Sequence, residues 1–560
     1  MTSFNRFAAA AAFLAAPAAL PAAAAVPADF KAKADAVLAE SYADDEPGAA
    51  VVVMDDGRIV YSAGRGLADV QAKTPITPST VFRLGSITKQ IAAATLLQLV
   101  DEGKVSLDDP LSKYFPGFPR PGADATIAQI LNHTVGVQSY TGIPGWMAEE
   151  NTSRPHTTEE MIALFRDLPV VSKPGEQWMY NNSGYVLVGA VIEKVTGKPW
   201  HQAVAERIST PLGLSTIRFG AEAETLPSMA KGYTQRENGA VLAQKIHMSV
   251  PHAAGGLVGS VEDLAKWGDA LHHGKVVRPD SYAKMTAPTK LPGGKSHDYG
   301  FGLGFAKLRG RPLIGHNGGI FGFVTDSAYL PQEDMFIAVF ANSDSPRTNP
   351  TVVLQKLAGL ALGEPYPTFE KAAVDPKGLE PLFGVYPIPD GERRFYARGE
   401  RLFTRRSGAP ELEVFAAGGN RYFYGPGSLS WFAMSKDAAG TPVMEMHENG
   451  EDDVQRSVRG GPIPPEPAAF PVAAAVLQSY VGRYDTPMGP MEVVLGEEGG
   501  LSARLGGQPP VTLRPTSDTE FQAREVDAQL AFRSEGGAVT GFVIRQNGQE
   551  LPGQRAKPQP

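Results

Sequence analysis

The chain has 560 residues, 42% of them hydrophobic and 20% charged, and a formal net charge of −8. That is an ordinary globular composition, long enough for roughly two to four domains, and its acidic balance gives no support for nucleic-acid binding. It contains no cysteine, which excludes disulfides, thiol catalysis, zinc–thiolate sites and a lipidated N-terminal cysteine.

Residues 1–25 differ from the rest. Arg6 is their only charged side chain, an Ala/Leu/Phe run follows, and Ala23-Ala24-Ala25 offers small residues for cleavage. This pattern predicts a secretory signal peptide and a periplasmic or secreted protein. The run is short and broken by Pro17 and Pro21, so it is not expected to span a bilayer, and no later stretch is apolar enough to do so. Lys33–Tyr42 has the pattern of a helix. Gly48–Met54 and Arg58–Ala63 are apolar strands around Asp55-Asp56-Gly57, a hairpin signal.

The stretch Phe82-Arg83-Leu84-Gly85-Ser86-Ile87-Thr88-Lys89 runs into the apolar segment Gln90–Val100, which is too apolar all round for a surface helix. Gly103 is placed to end that helix in the left-handed region. Residues 104–250 alternate helical segments with Pro/Gly loops, among them a loop from Pro174 to Tyr185 that enters a helix over Val186–Val195. Ser260 and Asp263 form a helix-start signal. Strand character returns with Leu313–Gly319, Phe321–Leu330 and Met335–Ala341, and Thr351–Leu362 closes the segment as a helix. Strands at both ends of the segment with helices between them predict an α/β fold, an antiparallel sheet carrying helices around it.

Beyond about residue 370, short strands separated by Gly/Pro turns take over. Gly384-Val385-Tyr386 and Gly482-Arg483-Tyr484 open two units, and His447-Glu448-Asn449-Gly450 and Arg545-Gln546-Asn547-Gly548 close them. Both pairs of landmarks are offset by 98 residues. Each unit is predicted to be a small antiparallel β-barrel. The resulting division is a signal peptide at 1–25, a catalytic domain at 26–368, a first barrel at 375–459, a Pro/Ala-rich linker at 460–475 and a second barrel at 476–560.

Three short patterns carry chemistry. Ser86 and Lys89 stand three residues apart at a helix start, so the hydroxyl and the amine share a face. A buried lysine whose pKa has fallen can take the serine proton. The same spacing recurs at Ser228–Lys231 and Ser281–Lys284, which read as surface coincidences. Tyr180-x-Asn182 supplies a phenol for proton relay, its ionisation favoured by a nearby cation, and an amide to hold a substrate carbonyl; a capping role for Asn182 is the structural alternative. His316-Asn317-Gly318-Gly319 is a glycine-containing strand edge that a substrate backbone could approach, with the amides of Ser86 and Gly319 as an oxyanion hole. His133 reads as structural, fixing a loop. No G-x-S-x-G elbow and no H-E-x-x-H pattern occurs, so an α/β-hydrolase triad, a metal and a cofactor all lack support.

Taken in this order, Ser86-x-x-Lys89, Tyr180-x-Asn182 and His316-x-Gly318 resemble the penicillin-recognising serine hydrolases, over about residues 30–365. The resemblance implies a β-lactamase-like α+β domain with a helical subdomain. It makes Ser86 the acylated nucleophile, gives Lys89 and Tyr180 the acid and base roles, adds His316 to the catalytic set, and assigns Asn182, Asn317, Gly318 and Gly319 to substrate binding. Many β-lactamases and carboxypeptidases of the family carry a lysine where this chain has His316, a weaker partner for a substrate carboxylate. The twin barrels are similar in architecture to those of bacterial D-aminopeptidases, whose last domain reaches toward the active site; barrels that serve as accessory modules for stability or cell-wall attachment are the alternative. The expected protein is a D-stereospecific aminopeptidase acting on small peptides or amides. A carboxylesterase, a weak β-lactamase or DD-carboxypeptidase, and, more remotely, a non-catalytic peptidoglycan or β-lactam sensor are the alternatives. A homodimer is allowed for.

Overall fold

The computed structural model describes residues 26–556, apart from residues 237, 426, 466–469, 487, 497–499, 507–509 and 547–548. The expected signal peptide lies outside the described residues.

The catalytic domain is built on six antiparallel strands. Their order is Gly304–Leu308, Arg311–Ile320, Phe323–Leu330, Met335–Ala341, Ala49–Asp55 and Arg58–Arg65. The N-terminal hairpin therefore adds to a sheet made by the far end of the domain, with Ala49–Asp55 pairing against Met335–Ala341 from Ala49↔Ala341 to Asp55↔Met335. This central strand shows why its sequence is apolar without alternation. Side chains of a strand point alternately to its two faces. Ala50, Val52 and Met54 enter one core, and Ala49, Val51 and Val53 enter the other. Both faces are covered, so both parities are hydrophobic.

One face carries the helices Phe30–Ser41 and Pro350–Ala361. The other carries the larger core, in which the Ser86 helix, Thr88–Asp101, is buried on nearly every side and the helix Asn182–Thr196 is buried over most of its length. The Ser86 helix stops at Asp101, with Gly103 at φ 71°.

The two β units share a beginning. A short helical segment, Pro376–Leu382 or Ala474–Tyr480, precedes the strand Gly384–Ile388 or Gly482–Thr486. In each strand the tyrosine of the repeat is fully buried and donates its hydroxyl to the carbonyl four residues back, Tyr386 to Leu382 and Tyr484 to Tyr480. The first unit is an eight-stranded sheet whose ends meet where Val385 donates to Gly461 at 3.0 Å and Gly460 to Val385 at 2.8 Å. The second is a closed eight-stranded barrel, sealed by Tyr484↔Arg555 and Asp485↔Gln554.

The first unit joins the catalytic domain at the turn after Gly304–Leu308. There the Arg309 and Gly310 amides donate to the Glu451 carboxylate at 3.0 and 3.2 Å. Phe369, on the connecting segment, packs against Phe423 and Trp431. The second unit meets the first through the Glu411 amide, which donates to the Glu525 carbonyl at 3.0 Å.

Candidate active site

Ser86 sits on a single 3-10 turn, Gly85–Ile87, that leads directly into its helix, and it is half-buried. Two glycines bring the strand Arg311–Ile320 against this turn. A Cβ on Gly85, which has φ 53°, would lie 3.0 Å from the Gly319 nitrogen. A Cβ on Gly318 would lie 2.2 Å from the Leu84 carbonyl oxygen and 3.1 Å from the Ser86 nitrogen. Only residues without side chains permit that approach. Thr325, on the next strand, donates to the same Leu84 carbonyl at 2.9 Å and clamps turn to sheet.

Lys89 is fully buried one turn further on. Its Nζ lies 3.0 Å from Ser86 Oγ and donates to Asn182 Oδ1 at 2.9 Å and to the Ala254 carbonyl at 2.7 Å. Burial holds the amine well below its ordinary pKa. A neutral amine has two N–H bonds and one lone pair. The two fixed carbonyl oxygens use the N–H bonds, which leaves the lone pair for the serine hydroxyl. Asn182 is free for this because the adjacent Asn181 caps the helix, accepting from the Gly184 amide at 2.9 Å. The Asn182 amide group donates in turn to Thr141 Oγ1 at 3.2 Å.

Tyr180 lies beside this pair, with the Lys89 nitrogen 4.8 Å from the centre of its ring. The expectation that a cation would favour its phenolate does not hold. Although 39% of the Tyr180 surface is exposed, desolvation raises its pKa, and a hydrogen bond with Ser86 only partly offsets that. The physical reason is desolvation of the phenol, which disfavours its charged form.

His316 is buried, and both of its ring nitrogens are engaged. Nδ1 donates to the Asn317 carbonyl at 2.6 Å, and Nε2 accepts from the Tyr299 hydroxyl at 2.8 Å. Burial, with Lys89 nearby, pushes its pKa down to about 3. Sequence reasoning misses Tyr299, which follows an Asp in a loop and is marked by no local motif. His133 behaves as the loop-fixing residue its surroundings suggest. It takes φ 65°, accepts the Asn181 amide on Nδ1 at 3.1 Å, and packs among Trp178, Tyr180, Tyr185 and Tyr299.

Asn317 is not brought into the cleft. It alternates with His316 and Gly318, and its cross-strand partner is Asp326, whose carboxylate accepts from Thr351 on the opposite helix layer at 2.6 Å. Cross-strand partners share a face, so the Asn317 side chain points away from Ser86. The other two Ser/Lys pairs lie elsewhere. Ser228 and Lys231 are exposed, and Ser281 is buried rather than superficial, donating to Asp101.

Ser86 opens into a cavity of about 300 Å³ bounded by Tyr140, Met147, Ile246, Ile320 and Phe321, with Asn182, Gly255 and Gly319 around the serine. No described residue beyond Phe321 lines it. Among the described residues no His/Asp/Glu cluster could hold a metal, and no helix is long and apolar enough to cross a membrane.

The family model described as Beta-lactamase matches residues 34–360. The chain belongs to the Beta-lactamase family. It is 26% identical to Penicillin-binding protein 4* of Bacillus subtilis (strain 168), over 72% of this chain and 93% of that one. It is also 26% identical to a D-aminopeptidase of Gluconobacter oxydans (strain 621H), over 72% of each. Among solved structures, the octameric penicillin-binding protein homologue from Pyrococcus abyssi is similar at TM-score 0.54 and 26% identity, covering 77% of this chain and 99% of that one. D-amino acid amidase from Ochrobactrum anthropi SV3, complexed with L-phenylalanine amide, is similar at TM-score 0.51 and 25% identity, covering 60% and 97%. The protein is a hydrolase of this family, with a β-lactamase-like catalytic fold followed by two eight-stranded β units.

Proposed function

We propose that this hydrolase works through an acyl-enzyme on Ser86 and cleaves amide bonds of small substrates, D-residue substrates foremost. The observation that carries the reading is the Lys89 amine: fully buried, low in pKa, 3.0 Å from Ser86 Oγ and held by Asn182 and Ala254. Ser86 Oγ bonds to the substrate carbonyl carbon and gives its proton to Lys89. The bond to the leaving amine breaks as that proton returns to the amine through Lys89 or the neutral Tyr180. Water then attacks the ester, restores Ser86 and releases the acid. The amides of Ser86 and Gly319, brought together by Gly85 and Gly318, are placed to hold the oxyanion.

The aminopeptidase and D-stereospecific parts rest on the D-aminopeptidase and D-amino acid amidase relatives. A carboxylesterase with the same machinery is the second reading, favoured by a cleft in which no described lining residue is a carboxylate that could meet a substrate ammonium. β-Lactamase and carboxypeptidase activity are disfavoured, because His316 has both nitrogens occupied and offers a substrate carboxylate nothing. The residue 1–25 pattern supports a periplasmic or secreted location, and the octameric homologue supports self-association, a homodimer being the smallest form. The test is a panel of D- and L-aminoacyl anilides, a D-Ala-D-Ala peptide, a β-lactam and a short-chain ester on wild type and Ser86→Ala. Loss of all turnover in Ser86→Ala is expected. Unchanged hydrolysis would remove the catalytic roles of Ser86, Lys89 and Tyr180 together, and equal rates on D and L anilides would remove the stereospecific part.

A further inference from the structure

We infer that the cleft accepts only acyl groups that carry no charge, so that the preferred substrates are amides or esters of apolar, N-blocked or amine-free acids. This rests on the acyl-enzyme reading above and narrows it. None of the described residues bounding the cavity beside Ser86 is Asp, Glu, Lys, Arg or His. Its walls are Tyr140, Met147, Ile246, Pro251, Ile320 and Phe321. Of the charged residues on the adjoining segments, Glu149, Glu150 and Lys245 are exposed to solvent, Arg83 pairs with Glu224, and Asp344 accepts from the Gly322 amide and from Thr234.

Asn182 and His316, two of the polar side chains near the serine, are already engaged by protein groups. Asn182 Oδ1 accepts from Lys89 and its amide group donates to Thr141, while His316 donates to Asn317 and accepts from Tyr299. Lys89 itself is buried with a lowered pKa. A substrate ammonium or carboxylate entering this volume would shed water and meet no opposite charge, which is the unfavourable case for burying an ion. An apolar acyl chain meets aliphatic and aromatic walls and gains by its burial. The substrate class thereby shifts from a free amino terminus, which the relatives' names suggest, to a neutral acyl donor.

Matched pairs test this, because each pair keeps the leaving group and changes the charge. N-acetyl-D-phenylalanine 4-nitroanilide is compared with D-phenylalanine 4-nitroanilide, and 4-nitrophenyl hexanoate with the mono-4-nitrophenyl ester of adipic acid. At pH 7 the neutral member of each pair is expected to have at least tenfold higher kcat/KM. The gap in the first pair should shrink as pH rises past the α-amino pKa of about 8, a change that size exclusion would not produce. Ile320→Asp and, independently, Met147→Glu should raise relative activity on the ammonium substrate by placing a counter-charge in the wall. Equal rates within both pairs, with turnover still lost in Ser86→Ala, would overturn the inference and leave the acyl-enzyme reading intact. Turnover that survives Ser86→Ala, or no turnover of any of the four by wild type, would overturn the acyl-enzyme reading and this inference with it.

Discussion

Replacing Lys89 by methionine separates the two jobs its amine performs. Methionine fills a similar volume, so the fully buried site is not emptied. Asn182 Oδ1 and the Ala254 carbonyl lose their donor, at about 1–3 kcal/mol each if no water replaces it. Against that stands the cost of burying the amine, whose pKa is lowered by desolvation. The unfolded chain holds a proton on this lysine up to about pH 10.4, whereas the folded chain releases it at lower pH. Between those two values the unfolded state binds one more proton, so stability rises with pH by about 1.4 kcal/mol per unit. Between pH 7 and pH 9 wild type should gain up to about 2.7 kcal/mol over Lys89→Met from this one group. Denaturant unfolding of the catalytic domain at several pH values reads the difference. The same variant should lose about 10²- to 10⁴-fold in the rate at which a fluorophosphonate or an activated ester acylates Ser86. Parallel stability profiles for the two proteins from pH 7 to 9 would mean that Lys89 keeps its proton in the folded state. It could not then be the base.

Gly318→Ala should lower kcat without removing Ser86 or Lys89, since its methyl would stand 2.2 Å from the Leu84 carbonyl oxygen; the forced shift costs about 1–3 kcal/mol of stability, read by thermal unfolding beside steady-state kinetics. Asn181→Ala should cost about 0.5–2 kcal/mol through loss of the helix cap and leave acylation close to wild type, while Asn182→Ala should leave a buried Lys89 N–H without its acceptor, at about 1–3 kcal/mol, and cut acylation; acylation lost in Asn181→Ala but kept in Asn182→Ala would show that the two neighbours had been confused. Tyr299→Phe removes the hydroxyl that donates to His316 Nε2 at 2.8 Å and should destabilise by about 1–3 kcal/mol. An imidazole proton resonance that titrates in this variant, but not in wild type down to about pH 4, would confirm that burial and Tyr299 together hold His316 neutral; its pKa is now about 3.

The sheet and its flanking helices are legible in the sequence because their signals are local and repeated. The hairpin turn, the all-apolar Ser86 helix and the later strand runs each stand out alone, and the 98-residue offset exposes the two β units. The chemistry-bearing residues that escape such reading are visible only in three dimensions. Tyr299 matters because a loop drops it onto His316, which no periodicity encodes. Asn181 and Asn182 differ by a single position, and only the helix start decides which one caps. Proximity in sequence to His316 suggests the cleft for Asn317, whereas strand parity sends it to the helix layer with Asp326 and Thr351. A last domain that reaches toward the active site is an analogy from domain order, and domain order does not determine docking. The first β unit is held at Arg309 and Phe369, and no described part of either unit lines the cavity.

Burial sets how the proposed reaction would be driven. It lowers the pKa of Lys89, raises that of Tyr180, and takes His316 down to about 3 and His133 well below its usual value. All four groups are thus pushed toward their neutral forms in the resting site. If the cleft also admits only a neutral acyl group, no formal charge exists there until Ser86 attacks. In the proposed reaction the attack would create two at once, an oxyanion beside the Ser86 and Gly319 amides and an ammonium on Lys89 between Asn182 Oδ1 and the Ala254 carbonyl. Fixed dipoles stabilise charge most where water is excluded. In this site they meet charge only in the tetrahedral intermediate and the transition states around it, so their stabilisation falls on the barrier rather than on the bound substrate. A substrate that brought its own ammonium or carboxylate would draw on the same dipoles in the ground state and forfeit part of that difference. The charge-free lining of the cleft and the buried lysine are therefore two parts of one arrangement.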